Sequence, residues 1–280
     1  MSERKTFEKG LSLYSKGNFA EALKLFESLT DPSFEIMKHY HIGLVKIQMG
    51  QLEEGLNEYR KIHEVNRVNQ GVEYDKFMFS LYINMGSTLQ VLAKKKGKEL
   101  YNEAISCYNY ALQIEDNDAR VWNNLGNAYL EIEKYLDAIK SFNKAIELDD
   151  EYPEAHYSIS LVYESMGNFE MAIEHLETAL KWKSQNKIIL NRLAGLCFGT
   201  GEFIKAKKYL ELVLQNKSHS KDPTANKNMA LVLYNMEEYE EAYSYYKIFI
   251  DLDPDFHDPE VKGIFDDLKN KVNKQINNLK

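Results

Sequence analysis

Cysteine is nearly missing from this 280-residue chain. Cys107 and Cys197 are the only two, far apart and in no pairing motif. A disulfide framework and a cysteine-rich zinc site are thereby excluded, and both thiols are read as buried and free. Basic charge is in short supply too. With 35 Lys and Arg against 43 Asp and Glu, the formal net charge is −8, the wrong sign for a protein whose main work is neutralising phosphates. Nucleic acid is not expected as a partner. No apolar stretch reaches the length of a membrane span, and Met1 to Lys9 hold no apolar signal core. A cytoplasmic location is expected, with peripheral membrane association at most through a complex.

Constellations for chemistry are equally sparse. His39 and His41 lie about 200° apart around a helix, so they cannot grip one metal together. His63, His156, His175, His219 and His257 are scattered without paired acids at a useful spacing. Gly199 and Gly201 fall at a turn rather than in a phosphate loop. No serine has a nucleophile-elbow context, and the glutamates spread over solvated helix faces. The chain is expected to be no enzyme and to carry neither cofactor nor metal.

What the sequence does hold is a period. Ala104, Ala138, Ala172 and Ala206 stand 34 residues apart, and Ala242 follows after 36. Three residues before each stands Tyr101, Tyr135, Phe169, Phe203 or Tyr239; four after stands Tyr108, Phe142, Leu176, Leu210 or Tyr246. Twelve before four of them is a small residue: Gly126, Ser160, Ala194 or Ala230. A weaker copy of the frame holds Gly10 with Ala22 and Gly43 with Gly55. Aligned columns at such a period mark a repeat protein.

Within a unit the apolar spacing of three and four is written twice, as in Trp122, Leu125, Gly126, Tyr129 and then Ala138, Ile139, Phe142, Ala145. Each unit is therefore a helical hairpin. Seven units are placed, starting near residues 3, 36, 79, 119, 153, 187 and 223, over residues 1–258. The small columns mark where two helices approach closely. Residues 259–280 form a capping helix, with Asp258 as N-cap, Pro259 in the first turn and a stripe of Val261, Ile264, Phe265, Leu268, Val272, Ile276 and Leu279. Lys262, Asp266, Asp267, Lys269 and Lys271 occupy its solvated face.

The run Trp122-x2-Leu125-Gly126-x2-Tyr129, followed by Ala138-x3-Phe142, resembles the tetratricopeptide repeat signature. Pro254 supplies the closing proline of the seventh unit, where Asp150 departs from it in the fourth. The resemblance implies an all-α fold, a right-handed superhelical solenoid of antiparallel helix pairs. It also implies that the first helix of each unit lines a groove for an extended peptide or a partner helix.

In that frame the groove is expected to present Asn84, Asn123, Asn124, Asn127, Tyr157, Asn191, Arg192 and Asn228. A carboxamide donates and accepts, so it can pair with a peptide backbone without reading side chains; Arg192 can instead meet a client carboxylate. His41 and Ser158 share the column of Asn84. Polar residues on a solvated helix need no ligand, and asparagine is abundant here, so the reading stands beside its plain alternative. Tyr40, Ile83, Phe198, Leu231 and Tyr234 are anchoring pockets on one reading and inter-repeat packing on the other. The carboxylate clamp of heat-shock co-chaperones is not met, because Ser158 and Ile188 stand where asparagine and lysine are needed.

Two insertions, near 69–76 and at Lys94 to Lys98, are expected as loops between the second and third units and in the third unit's turn. The leading function is a scaffold or adaptor for a protein or peptide segment. A chaperone for a secretion, motility or envelope-assembly subunit is the alternative. A peptide-sensing regulator is less favoured, since no output domain fits before Glu3 or after Lys280.

Overall fold

The period is written in the backbone as alternating helices joined by tight turns. The computed structural model describes residues 2–65, 72–183, 186–215 and 221–278, which contain no strand. Two compact units divide the chain, Met1–Asp150 and Glu151–Lys280. The first holds α1 (Glu3–Ser15), α2 (Phe19–Glu27), α3 (Glu35–Gln48), α4 (Leu52–Val65), α5 (Val72–Lys96), α6 (Glu99–Ile114), α7 (Ala119–Glu131) and α8 (Tyr135–Leu148). The second holds α9 (Pro153–Ser165), α10 (Phe169–Trp182), α11 (Lys187–Gly199), α12 (Phe203–Gln215), α13 (Pro223–Asn235), α14 (Tyr239–Leu252) and α15 (Pro259–Asn278). Odd and even neighbours pack as hairpins, α1 on α2 through α13 on α14. Asn69 to Gly71, His219 and Leu279 lie outside the described residues, as do the side chains of His63 and Ile276.

Capping residues start several of these helices. The Asp118, Asn168 and Asp222 carboxylate or carboxamide oxygens accept from the backbone N–H of Arg120, Met171 and Ala225, satisfying donors that a helix N-terminus leaves open. The turns inside the hairpins repeat one conformation. Gly17, Gly50, Gly167 and Gly201 take φ between 75° and 80°, and Glu133 and Glu237 take φ 63° at the same place in the fourth and seventh hairpins. A left-handed residue there lets the chain reverse while the last carbonyls stay bonded.

Packing inside a hairpin explains the small column. A Cβ built on Gly10 would meet the Phe26 ring at 2.7 Å, on Gly43 the Tyr59 ring at 2.5 Å, on Gly86 the Tyr108 ring at 2.7 Å, and on Gly126 the Phe142 ring at 2.6 Å. Glycine stands wherever these four hairpins send an aromatic ring against the first helix. Where the facing column holds Leu176 or Leu210, the small position is Ser160 or Ala194, and all four are buried. Across these six hairpins the two columns trade volume so that the interface stays filled, whereas the seventh holds Ala230 with Tyr246 in the same columns.

The third hairpin departs from expectation at both ends. Its first helix, α5, begins at Val72 rather than near Phe79, because Tyr74, Phe77, Met78 and Leu81 continue the apolar stripe, with Met78 and Leu81 buried. Lys94 to Lys96 are likewise its last turn and not a loop. Lysine is a good helix former and suits a helix C-terminus electrostatically; Lys96 pairs with Glu53, and Lys98 with Glu133 at 2.8 Å.

The capping helix is docked more firmly than a solvated face predicts. Phe265, Leu268 and Val272 are buried, and Asp258 accepts from Val261 N–H as N-cap. Asp267 and Lys271 stay partly exposed and at the same time reach the last hairpin. Asp267 accepts from the Tyr234 hydroxyl at 2.6 Å, and the Lys271 ammonium lies 4.5 and 4.7 Å from the Tyr234 and Tyr239 ring centres.

Candidate partner-binding surface

First helices of successive hairpins touch each other in both units, α5 on α7 and α11 on α13. In the first unit the exposed side of α3, α5 and α7 encloses a cavity of about 380 Å³. Asn84 and Asn124 line it together, with Ser80, Arg120, Tyr40 and Ile83 among its other walls. Asn84 donates from Nδ2 to the Tyr40 hydroxyl at 3.1 Å, which fixes its carboxamide. Behind it, Gln90 accepts from the Tyr108 hydroxyl at 2.7 Å and donates to the Asn124 carbonyl at 3.0 Å. The Arg120 guanidinium is bonded to Asp118 through Nε and Nη2, at 3.0 and 2.6 Å, and holds the Asp118 carboxyl below its usual range.

Asn123 is not part of this surface. It is buried, and its Oδ1 has no hydrogen-bond partner, because one residue along a helix turns a side chain by about 100°. Asn127 is half-buried and does not line the cavity. His41 and Ser158 are buried as well. His41 donates from Nδ1 to the Met37 carbonyl at 2.7 Å and packs against Phe7, Phe26 and Tyr40, and burial lowers its pKa.

In the second unit the expected residues divide among smaller features. Asn228 lines a pocket of about 70 Å³ with Phe198 and Leu231. Tyr157 lines another of about 190 Å³ between α9 and α11. Asn191 is half-buried, with Oδ1 enclosed and without a partner. Arg192 does not hold an open charge: Nε donates to Glu164 at 2.9 Å and the guanidinium sits 5.8 Å from the Tyr157 ring centre. Tyr234 is taken up by the capping helix.

Two polar pairs were missed by spacing along single helices. His156 on α9 and His175 on α10 meet Nδ1 to Nδ1 at 3.1 Å, with Tyr163 stacked on His175. His39 meets Glu58 in the same columns of the second hairpin, at 2.7 Å. Burial raises the Glu58 pKa, but hydrogen bonds from His39, Lys46 and Lys61 outweigh it and hold the carboxyl at about 2. In both hairpins the residue four before the small column faces the one three after the alanine column. That correspondence was available in the sequence.

Among the described residues no three metal-ligating side chains cluster, and no helix is long and apolar enough to cross a membrane. Cys107 and Cys197 are buried free thiols, pushed up to about 12 and about 11 by burial.

Helical hairpins repeated at 34 residues, a small column against a large one and a left-handed turn between them define a helical repeat protein. The family model described as TPR repeat matches residues 126–167, and that described as tetratricopeptide repeat matches 153–186 and 225–256. A third, described as CABIN1 N-terminal domain, matches 33–143. No curated protein matches the chain. A solved tetratricopeptide repeat protein from Parabacteroides merdae is similar at 16% identity over 96% of this chain and 99% of its own, with a TM-score of 0.63. MamA is similar at 24% identity over 63% and 95%, TM-score 0.54. YrrB, described as a TPR protein with an unusual peptide-binding site, is similar at 20% over 62% and 86%, TM-score 0.52. At these identities the likeness shows the fold alone. The fold and the matched segments are those of a tetratricopeptide repeat protein.

Proposed function

We propose that the chain is a non-enzymatic scaffold that binds an extended peptide or a helix of a partner protein on the surface of its first helices. The observation that carries this reading is the first-unit cavity, where Asn84 and Asn124 stand on neighbouring helices with apolar walls beside them. Asn84 is held in place by Tyr40 and needs little reordering to meet a backbone. The fold supports protein interaction in general, and the peptide-binding site ascribed to YrrB is in keeping with it. Two buried thiols suit a reducing compartment such as the cytoplasm.

The test is selection of displayed random peptides on the wild-type protein, followed by affinity measurement on Asn84→Ala/Asn124→Ala. Each lost hydrogen bond costs about 0.5 to 1.5 kcal/mol, so binding should weaken by roughly 5- to 150-fold. Peptides that bind the double variant as tightly as the wild type place recognition elsewhere.

A further inference from the structure

Each charge around the α9–α11 pocket is already answered by one of opposite sign. Glu154 and Lys183 line the pocket and pair with each other. Lys187, in the first turn of α11, pairs with Asp222. Arg192 pairs with Glu164 at 2.9 Å and lies over the ring of the lining residue Tyr157. The α11 N-terminus, which would otherwise attract an anion, is capped: the Asn186 carboxamide oxygen accepts from Ile188 and Ile189 N–H at 2.9 and 3.3 Å.

What remains for an occupant is apolar. Pro153, the Tyr157 ring, Ile188 and Ile189 line a volume of about 190 Å³. That is below the roughly 300 to 1,000 Å³ of ordinary small-molecule sites and suits one large side chain. Ile188 is 65% exposed, a branched apolar side chain left in water. Glu154 and Ile188 occupy the repeat column that Ser80 and Arg120 hold in the first-unit cavity, and Tyr157 occupies the column of Tyr40 and Ile83. The pocket is therefore built from the same repeat columns as the first-unit cavity.

We propose that this pocket is a specificity site that takes one uncharged aliphatic or aromatic side chain of the bound segment and discriminates against an acidic one. It rests on the scaffold reading but on different residues. An acidic group entering here would shed water and find every neighbouring cation already paired, whereas an apolar one covers Ile188 and the Tyr157 ring.

The test is isotope-labelled isoleucine-methyl NMR of the full chain, titrated separately with N-acetyl-leucinamide, N-acetyl-phenylalaninamide and N-acetyl-aspartamide. Saturable shifts at Ile188 and Ile189 are expected from the first two, with the acidic probe about tenfold weaker or silent. Ile188→Ser, at an exposed position that leaves the fold intact, should weaken the apolar probes about fivefold or more. Glu164→Gln, which releases the Arg192 charge, should raise the affinity for the acidic probe. Equal or tighter binding of the acidic probe by the wild type, or no saturable shift from the apolar ones, overturns the proposal. Failure of the scaffold reading is read separately, in the peptide affinities of the Asn84/Asn124 variant, which leaves this pocket untouched.

Discussion

At the scale of single residues, the turn column carries a cost that can be removed. Glu133 and Glu237 hold the left-handed conformation that four other hairpins give to glycine. For a residue with a Cβ this region costs about 1 to 2 kcal/mol, against which glycine loses about 0.5 to 1 kcal/mol of unfolded-chain entropy. Glu133 is bonded to Lys98, so Glu237 is the cleaner site. Glu237→Gly should raise the unfolding free energy by about 0.5 to 1 kcal/mol, read as a higher urea midpoint at unchanged slope; a lower midpoint counts against the strain. Residue-scale detail is also where the sequence was least legible. Asn123 and Asn124 are chemically the same, and only the rotation of α7 buries one and leaves the other lining the cavity. The Arg192 partner, Glu164, is 28 residues away on another first helix, beyond any local spacing rule.

At the scale of the hairpin, the volume trade between columns is testable as a cycle. Gly126→Ala puts a Cβ within 2.6 Å of the Phe142 ring, an overpacking that should cost roughly 1 to 3 kcal/mol. Phe142→Leu alone opens space and destabilises too. The pair Gly126→Ala/Phe142→Leu reproduces the small-and-leucine combination of the sixth hairpin, so it should lose less than the two single variants summed, by about 1 kcal/mol or more. Strict additivity in urea unfolding would show that the columns are independent.

The same scale holds the acid response of the fifth hairpin. Burial pushes the His156 pKa down, with His175 and Lys181 adding to it, and burial pushes His175 down against the opposing pull of Glu174. Tyr163 stacks on His175 without a charge. Folded-state pKa values below the unfolded one mean that the unfolded chain binds more protons in that window. The contribution to stability is therefore complete above the ordinary histidine range and is lost as pH falls through it toward the folded values. Urea midpoints should drop between about pH 7.5 and 5, and His156→Gln/His175→Gln should flatten that part of the profile. A wild-type midpoint that is constant across the window excludes the pair as its source.

At the scale of the whole molecule, the period made the architecture readable because every unit solves the same packing problem. The alanine, aromatic and small columns gave the helix pairs and the close approach within them. The capping helix was legible from Asp258, Pro259 and its apolar stripe. The third hairpin was not, since Tyr74, Phe77 and Met78 extend its stripe ahead of the repeat frame and Lys94 to Lys96 extend the helix beyond it. A solenoid stabilised by nearest neighbours must end on a face that water would otherwise wet. Here α15 covers that face: Phe265 stacks on Tyr246 at 3.9 Å between ring centres, and Asp267 with Lys271 holds Tyr234 and Tyr239. Ending the chain after His257 should expose Tyr246 and Phe249, lower the urea midpoint and produce self-association in size-exclusion chromatography. Phe265→Ala in the full chain should cost about 3 to 5 kcal/mol, whereas Lys271→Met, which keeps the stem and removes the charge, should lower the urea midpoint far less. If the truncated chain elutes as the full chain does and keeps its midpoint, the last hairpin closes the stack without α15.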